Sequence, residues 1–191
     1  MPRALILFEP PAAPEPLRMG LLGLGYNVAD ELDDASRLLR RASAIEPDLI
    51  LVTTAAPSAA LFAATTALDQ HAPAPVLVYA QNADAAVIER TIRSGVHTCV
   101  ADGFSARRLP GLIAETRARF KLMRELTAQL HDATARLEER KLVDRAKGIL
   151  MQSKNMSEDA AYTALRSLAM EKKQKLGAVA GQIITAARLL V

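Results

Sequence analysis

The sequence predicts an α/β protein, a doubly wound parallel sheet followed by an all-helical tail, on three observations. Short apolar runs alternate with amphipathic stretches over residues 1–105; the runs are continuous, as in strands covered on both faces; and from about Ala106 the apolar spacing changes to that of helices. Hydrophobic residues make up 50% of the 191, enough for the core of one sizeable domain with a smaller module.

Taken in order, the strands are ALILF (4–8), a weaker edge candidate YNVAD (26–30), DLILV (48–52), PVLVYA (75–80) and HTCVA (97–101). Between them PLRMGLLGLG, DDASRLLRRASAI, SAALFAATTALDQH and DAAVIERTIRSG are suited to helices, and a last helix begins at about Ser105. Five βα units in this order imply a flavodoxin-like (βα)5 fold, with its working crevice at the carboxyl ends of the strands. The single cysteine, Cys99, falls inside a strand and reads as a small core residue, which excludes a disulfide framework and a cysteine zinc site. His71, His97 and His131 are scattered without ligand spacing, so neither a metal or other cofactor nor an enzyme is expected.

Charge divides the chain. Residues 1–105 carry 7 Lys and Arg against 12 Asp and Glu, whereas residues 106–191 carry 17 against 9. A basic half on an otherwise ordinary protein points to nucleic acid or an acidic protein surface, with a merely solvated face as the plainer reading. No stretch reaches the roughly 18 apolar residues of a membrane span, and the N-terminal MPRALILFEPP is too short for a secretory segment and stops at prolines. The cytoplasm is the expected location, with no membrane partner.

In the basic half Met123, Leu126, Leu130, Ala133 and Leu137 alternate spacings of three and four, the seam of a coiled coil flanked by Arg124, Glu125, Arg136, Glu138 and Glu139. With no Pro or Gly between Leu112 and Lys147, one helix can run from the α/β domain into the tail. The seam, barely two heptads, suits a homodimer; a helix folded back on its own domain is the alternative. Three helices are then expected. The first runs to about Ser153 and breaks at KNM; the second starts at the N-cap Ser157, with Glu158 and Asp159 favouring the helix dipole, and ends near Lys172. After KKQK, the third carries the stripe Leu176, Val179, Ala180, Ile183, Ile184 and Ala187.

A wheel of about 100° per residue places Leu142, Ala146, Ile149 and Ser153 of the first helix inward, and Lys141, Arg145, Gly148 and Gln152 outward. A mid-helix glycine costs roughly 1 kcal/mol against alanine, and here it lies on a cationic face where it opens the backbone to an incoming group. On the second helix Tyr162, Arg166, Ala169 and Lys173 form another outward stripe. An aromatic ring beside guanidinium and ammonium groups suits unpaired RNA bases and their phosphates; Tyr162 closing the small core with its hydroxyl in water is the alternative.

The first half resembles the response-regulator receiver domain. EPDLILV followed by Thr53, the strand APVLVYA and the strand GVHTCV have the order and spacing of receiver strands three to five. A working receiver implies two acids for Mg²⁺ after strand one, an aspartate phosphoacceptor after strand three, Ser or Thr after strand four and lysine after strand five. This chain has Glu9 then Pro10, Thr53, Ala80 and Asp102 at those places. A hydroxyl at Thr53 cannot form an acyl phosphate and Glu9 alone is a poor Mg²⁺ site, so residues 1–119 are expected to form a pseudo-receiver.

The segment ERKLVDRAKGILMQSKNMSEDAAYTALRSLAMEKKQKLGAVAGQIITAARLL resembles an ANTAR domain, the RNA-binding module named for the AmiR and NasT antitermination regulators. AKGILM, MSEDAAYTALR, the pair Ala169 and Met170, and the closing VA and II fall in the family's order; VADG (100–103) with Arg119 and Phe120 resembles the NasT branch. The resemblance implies domains at 1–119, a coiled-coil linker at 120–138 and the ANTAR module at 139–191. It implies binding to stem-loops in a nascent leader mRNA so that a terminator hairpin cannot form, in the NasT branch for nitrate and nitrite assimilation genes. The regulator would be controlled by a nitrate-sensing partner protein, not by phosphorylation. The RNA-binding residues carried over are Arg145, Lys147, Gly148, Tyr162, Arg166, Ala169 and Met170, with dimerisation through Met123, Leu126, Leu130 and Leu137. A DNA-binding or protein-scaffolding regulator is the second reading, although no helix here starts with the Arg, Asn and Gln of a recognition helix.

Overall fold

The computed structural model describes residues 1–189, so the last two residues of the expected module, 190–191, lie outside the described residues. The order is β1 (Arg3–Phe8), α1 (Glu15–Gly23), β2 (Asn27–Leu32), α2 (Leu38–Ile45), β3 (Leu49–Thr54), α3 (Ala59–His71), β4 (Val76–Ala80), α4 (Ala85–Arg93), β5 (Thr98–Val100), α5 (Leu109–Lys154), α6 (Glu158–Glu171) and α7 (Leu176–Leu189), with one 3-10 turn at Ala35–Arg37. The five strands form one parallel sheet in the order β2-β1-β3-β4-β5, the expected (βα)5 arrangement. β2 lies at the edge and is only partly buried, which is why its sequence was the least strand-like.

The continuous apolar runs follow from a sheet covered twice. Leu5, Leu7, Ile50, Val52, Val76 and Val78 pack on one face and Ala4, Ile6, Leu49, Leu51, Leu77 and Tyr79 on the other, so neighbours along each strand enter opposite cores. The helices begin where the chain supplies caps. Ser58 Oγ accepts from the Leu61 amide at α3, and Asp84 Oδ1 from the Val87 amide at α4. The last helix of the domain starts at Leu109, not at Ser105: a turn in which Arg108 and Leu109 donate to the Ser105 carbonyl precedes it, and Pro110 then sits in the first helical turn, where a missing N–H is tolerated.

The chain divides into two compact units, Met1–Arg124 and a second that begins at Glu125. α5 contributes buried Leu109, Ile113 and Thr116 to the first and Val143 and Ala146 to the second. Every residue of α5 from Lys121 to Leu142 is exposed, including Met123, Leu126, Leu130 and Leu137.

In the second unit Val143, Ala146, Leu165, Ala169, Val179, Ala180 and Ile184 form the core, with Ile149, Leu150, Leu168, Leu176 and Ile183 packed against it. The wheel drawn from sequence therefore needs rotation: Ala146 and Ile149 face inward as expected, but Val143 and Leu150 flank them, while Leu142 is 40% exposed and Ser153 is exposed. α5 and α6 are joined through Asn155 in the left-handed region (φ 50°), and Ser157 caps α6 by accepting from the Ala160 amide at 3.3 Å. α7 is fastened to α5 by Glu139, whose Oε1 accepts from the Gly177 amide at 3.1 Å. A Cβ at Gly177 would lie 2.8 Å from Glu139 Cγ, so a side chain here would displace Glu139 from its bond to the Gly177 amide.

Candidate nucleic-acid interface

Two candidate sites were expected, one in each unit. In the first, the sheet order reverses between β1 and β3, and this switch point is where a doubly wound sheet opens its crevice. Phe8 pairs with Thr53 in register and the Glu9 amide donates to the Thr53 carbonyl at 3.0 Å, so Glu9 and Thr53 meet at the mouth. The Glu9 carboxylate is already engaged: one oxygen accepts a short hydrogen bond from Ser58 Oγ, and the other accepts from the Ser58 amide at 3.4 Å. It ties the end of β1 to the start of α3. Ala80 is fully buried in the core, and Asp102 is exposed and pairs with Arg108 at 3.5 Å. The four positions are thus an acid locked to a serine, a hydroxyl, a methyl group and an outward acid.

In the second unit the expected RNA residues separate. Arg145 is exposed on α5, and Arg166 is exposed on α6 one turn beyond Tyr162, which is 44% exposed. Among the described residues neither arginine has a carboxylate partner. Gly148 is open: a Cβ built there meets nothing within 4 Å, so no packing contact calls for a glycine. Met170 is 70% exposed.

Two expectations are corrected. Ala169 is 7% exposed and belongs to the core beside Leu165, because the inward stripe of α6 runs Ala161, Leu165 and Ala169. It cannot line the outward stripe with Tyr162 and Arg166. Lys147, expected to bind RNA, is not a free cation. Its ammonium sits 2.8 Å from Asp144 Oδ1 and 2.7 Å from Glu158 Oε1, with the side chain 16% exposed. The hydrogen bond to Asp144 first, then that to Glu158, raises the Lys147 pKa above its ordinary value; the same bond lowers that of Asp144. Sequence reading missed this clamp and the Glu139 cap of α7. Glu158 lies eleven residues from Lys147, beyond the three- or four-residue reach of contact along one helix, and the turn through Asn155 brings them together.

The family model of the ANTAR domain matches residues 131–184. The transcriptional regulatory protein PdtaR of Mycobacterium tuberculosis is 26% identical over 188 residues, 96% of this chain and 90% of that protein. The nitrate regulatory protein of Klebsiella oxytoca is 40% identical over 63 residues, 33% of this chain and 16% of that protein. Among solved structures, the signal receiver domain of a modulated diguanylate cyclase from Desulfovibrio desulfuricans G20 has a TM-score of 0.55 at 25% identity, covering 64% of this chain and 98% of that one. The receiver domain of a sensor histidine kinase from Pseudomonas aeruginosa PAO1 has a TM-score of 0.53 at 20% identity, with 61% and 98% covered. Among the described residues no helix is long and apolar enough to cross a membrane. The chain thus joins a receiver-like (βα)5 domain to a segment, residues 131–184, that matches the ANTAR domain, with α5 continuous from Leu109 to Lys154.

Proposed function

We propose that the protein is an RNA-binding transcription antiterminator, acting in the cytoplasm on stem-loops of a nascent leader mRNA and preventing terminator formation. The observation that carries this is the outward face of the ANTAR unit: Arg145 and Arg166 have no acidic partner among the described residues, Tyr162 stands one turn from Arg166, and the space over Gly148 is open. Uncommitted guanidiniums serve phosphates, the ring serves an unpaired base, and a bare helix backbone admits close approach. Met170, also exposed, follows Arg166 by one turn on α6.

The remaining assignments belong to the same reading. Residues 1–119 act as a pseudo-receiver, 120–138 as a dimerising linker through Met123, Leu126, Leu130 and Leu137, and the ANTAR module follows from 139. Control comes from a sensor protein and not from phosphorylation, since Glu9 is tied to Ser58 and Thr53 replaces the phosphoacceptor. The likeness to a nitrate regulatory protein favours nitrate and nitrite assimilation genes as targets and a nitrate sensor as the partner.

Gel-shift titration of leader-RNA hairpins against duplex DNA of the same sequence tests the binding. Preference for the hairpins is expected; preference for the duplex would establish a DNA-binding regulator instead. Incubation with acetyl phosphate and Mg²⁺ is expected to leave no phosphoprotein, and stable labelling would overturn the pseudo-receiver assignment.

A further inference from the structure

The receiver-like unit holds a cavity that RNA recognition does not use. About 330 Å³ in volume, it lies at the carboxyl end of the sheet, among Pro11, Leu17, Thr53, Tyr79, Gln81 and Phe104. That is within the roughly 300–1,000 Å³ typical of small-molecule sites. Thr53 and Tyr79 pair in register across β3 and β4, so their side chains leave the same face of the sheet. Phe104 meets the Tyr79 ring edge-on, with centroids 5.5 Å apart, and is backed by α1 at Gly20, where a Cβ would lie 3.0 Å from Phe104 Cζ. The wall is therefore built by close packing of three separate segments.

Its chemistry is unusual in one atom. The Tyr79 side chain is buried at 3% exposure, yet its hydroxyl has no hydrogen-bond partner among the described residues. A buried hydroxyl is normally paired, because an unmade bond leaves its desolvation uncompensated. No residue lining the cavity carries a formal charge, and Arg108, whose charge is felt at the Tyr79 hydroxyl, lies outside the lining and is paired with Asp102 at 3.5 Å, so an ion entering would be desolvated without a direct partner. Thr53 and Gln81 add a hydroxyl and an amide to an otherwise apolar lining.

We propose that this cavity, at the place where a receiver would be phosphorylated, binds a small uncharged and largely apolar molecule whose carbonyl or other acceptor takes the Tyr79 hydroxyl hydrogen bond. The site would give the unit a chemical input in place of the phosphoryl group. The proposal is independent of the RNA reading, being confined to the first unit.

The test uses the ¹⁵N-labelled full chain titrated with cyclohexanone, benzamide, toluene and inorganic phosphate, following the amide signals of Thr53, Gln81 and Gly103. Saturable shifts are expected with the two carbonyl compounds and none with phosphate. Tyr79→Phe should weaken the carbonyl compounds by roughly three- to tenfold, the worth of one neutral hydrogen bond, and leave any toluene binding unchanged. It should also raise the Tm of the ligand-free protein by removing an unpaired donor. Ala13→Trp, at an exposed lining position, should block all the organic probes. Absence of saturable shifts would show a water-filled cleft only. Shifts from phosphate, unaltered affinity in Tyr79→Phe, a Tm that falls in that variant, or binding that survives Ala13→Trp would each overturn the proposal.

Discussion

Lys147 of α5 lies 2.7 Å from Glu158 of α6, with Asp144 2.8 Å away on its own helix, so the ammonium in the middle of AKGILM is spent on holding two helices together. Arg145, two residues earlier, has no acidic partner among the described residues. Neighbours in sequence thus take different tasks, one fastening the module and the other facing outward.

The pair should separate cleanly by mutation. Lys147→Met is expected to lower the Tm while leaving the salt dependence of RNA binding unchanged. Arg145→Ala is expected to keep the Tm and make the slope of log affinity against log salt shallower by about 0.7, the step for one phosphate contact on a single strand. Differential scanning calorimetry and filter binding at four salt concentrations measure both. A shallower slope in Lys147→Met, or an unchanged one in Arg145→Ala, would reassign the cations.

The clamp also has a pH window. Asp144 has its folded pKa lowered from 3.8, so its share of stability is present above that value and is lost as pH falls through the lowered one. Lys147 has its folded pKa raised from 10.5, so its share is present below that value and is lost as pH rises through the raised one. The Tm difference between wild type and Lys147→Met should be flat between these limits and shrink beyond either. It should also shrink in high salt, because both carboxylates are exposed. A difference that persists well below pH 3.8 would mean Lys147 stabilises through its methylene packing instead.

Gly148 gives opposite effects on stability and binding. Nothing lies within 4 Å of a Cβ placed there, so Gly148→Ala should stabilise α5 by about 1 kcal/mol through helix propensity alone. If RNA approaches the backbone at this point, the same variant binds hairpins more weakly and Gly148→Leu abolishes binding with fold and oligomeric state intact. Urea unfolding and gel shifts on the same preparations decide; full RNA affinity in Gly148→Leu would leave the glycine without a binding role.

The sheet was legible because burial on both faces leaves uninterrupted runs such as LILV and VLVY, and α6 because Ser157 followed by two acids is a helix start that depends on local chemistry alone. The faces of the ANTAR helices were less so. A wheel ranks residues by polarity, and Ala169 is small enough to fit either side, so only its packing beside Leu165 in the core fixes its face. The engagement of Glu9 by Ser58 joins residues 49 apart in sequence, across α1, β2, α2 and β3, and the Lys147 clamp depends on a single left-handed residue, Asn155. Neither leaves a periodic trace. What sequence does record is which chemical groups are present, here Glu9, Thr53, Ala80 and Asp102.

The exposed seam of α5 predicts an oligomer. Met123, Leu126, Leu130 and Leu137 lie on a stretch whose every residue is exposed, and an isolated helix of this kind gains little stability without a packed face. Analytical ultracentrifugation should show a dimer for the full chain and a monomer for Leu126→Asp with Leu130→Asp, the receiver-like unit remaining folded by its own core. A dimer that survives both substitutions would place the interface elsewhere.

Tyr162 distinguishes stacking from core closure. At 44% exposure its ring is half open to solvent, with Arg166 on the next turn of α6. If the ring stacks on an unpaired base, Tyr162→Phe keeps hairpin affinity, and Tyr162→Ala loses about 1–3 kcal/mol, the range for one base on an aromatic platform. In that case the Tm of Tyr162→Ala stays near wild type, since Ala161, Leu165 and Ala169 carry the buried face of α6. If the ring instead covers the core, the Tm falls in Tyr162→Ala and affinity falls only in proportion to the unfolded fraction. Measuring affinity at a temperature well below both transitions separates the two outcomes.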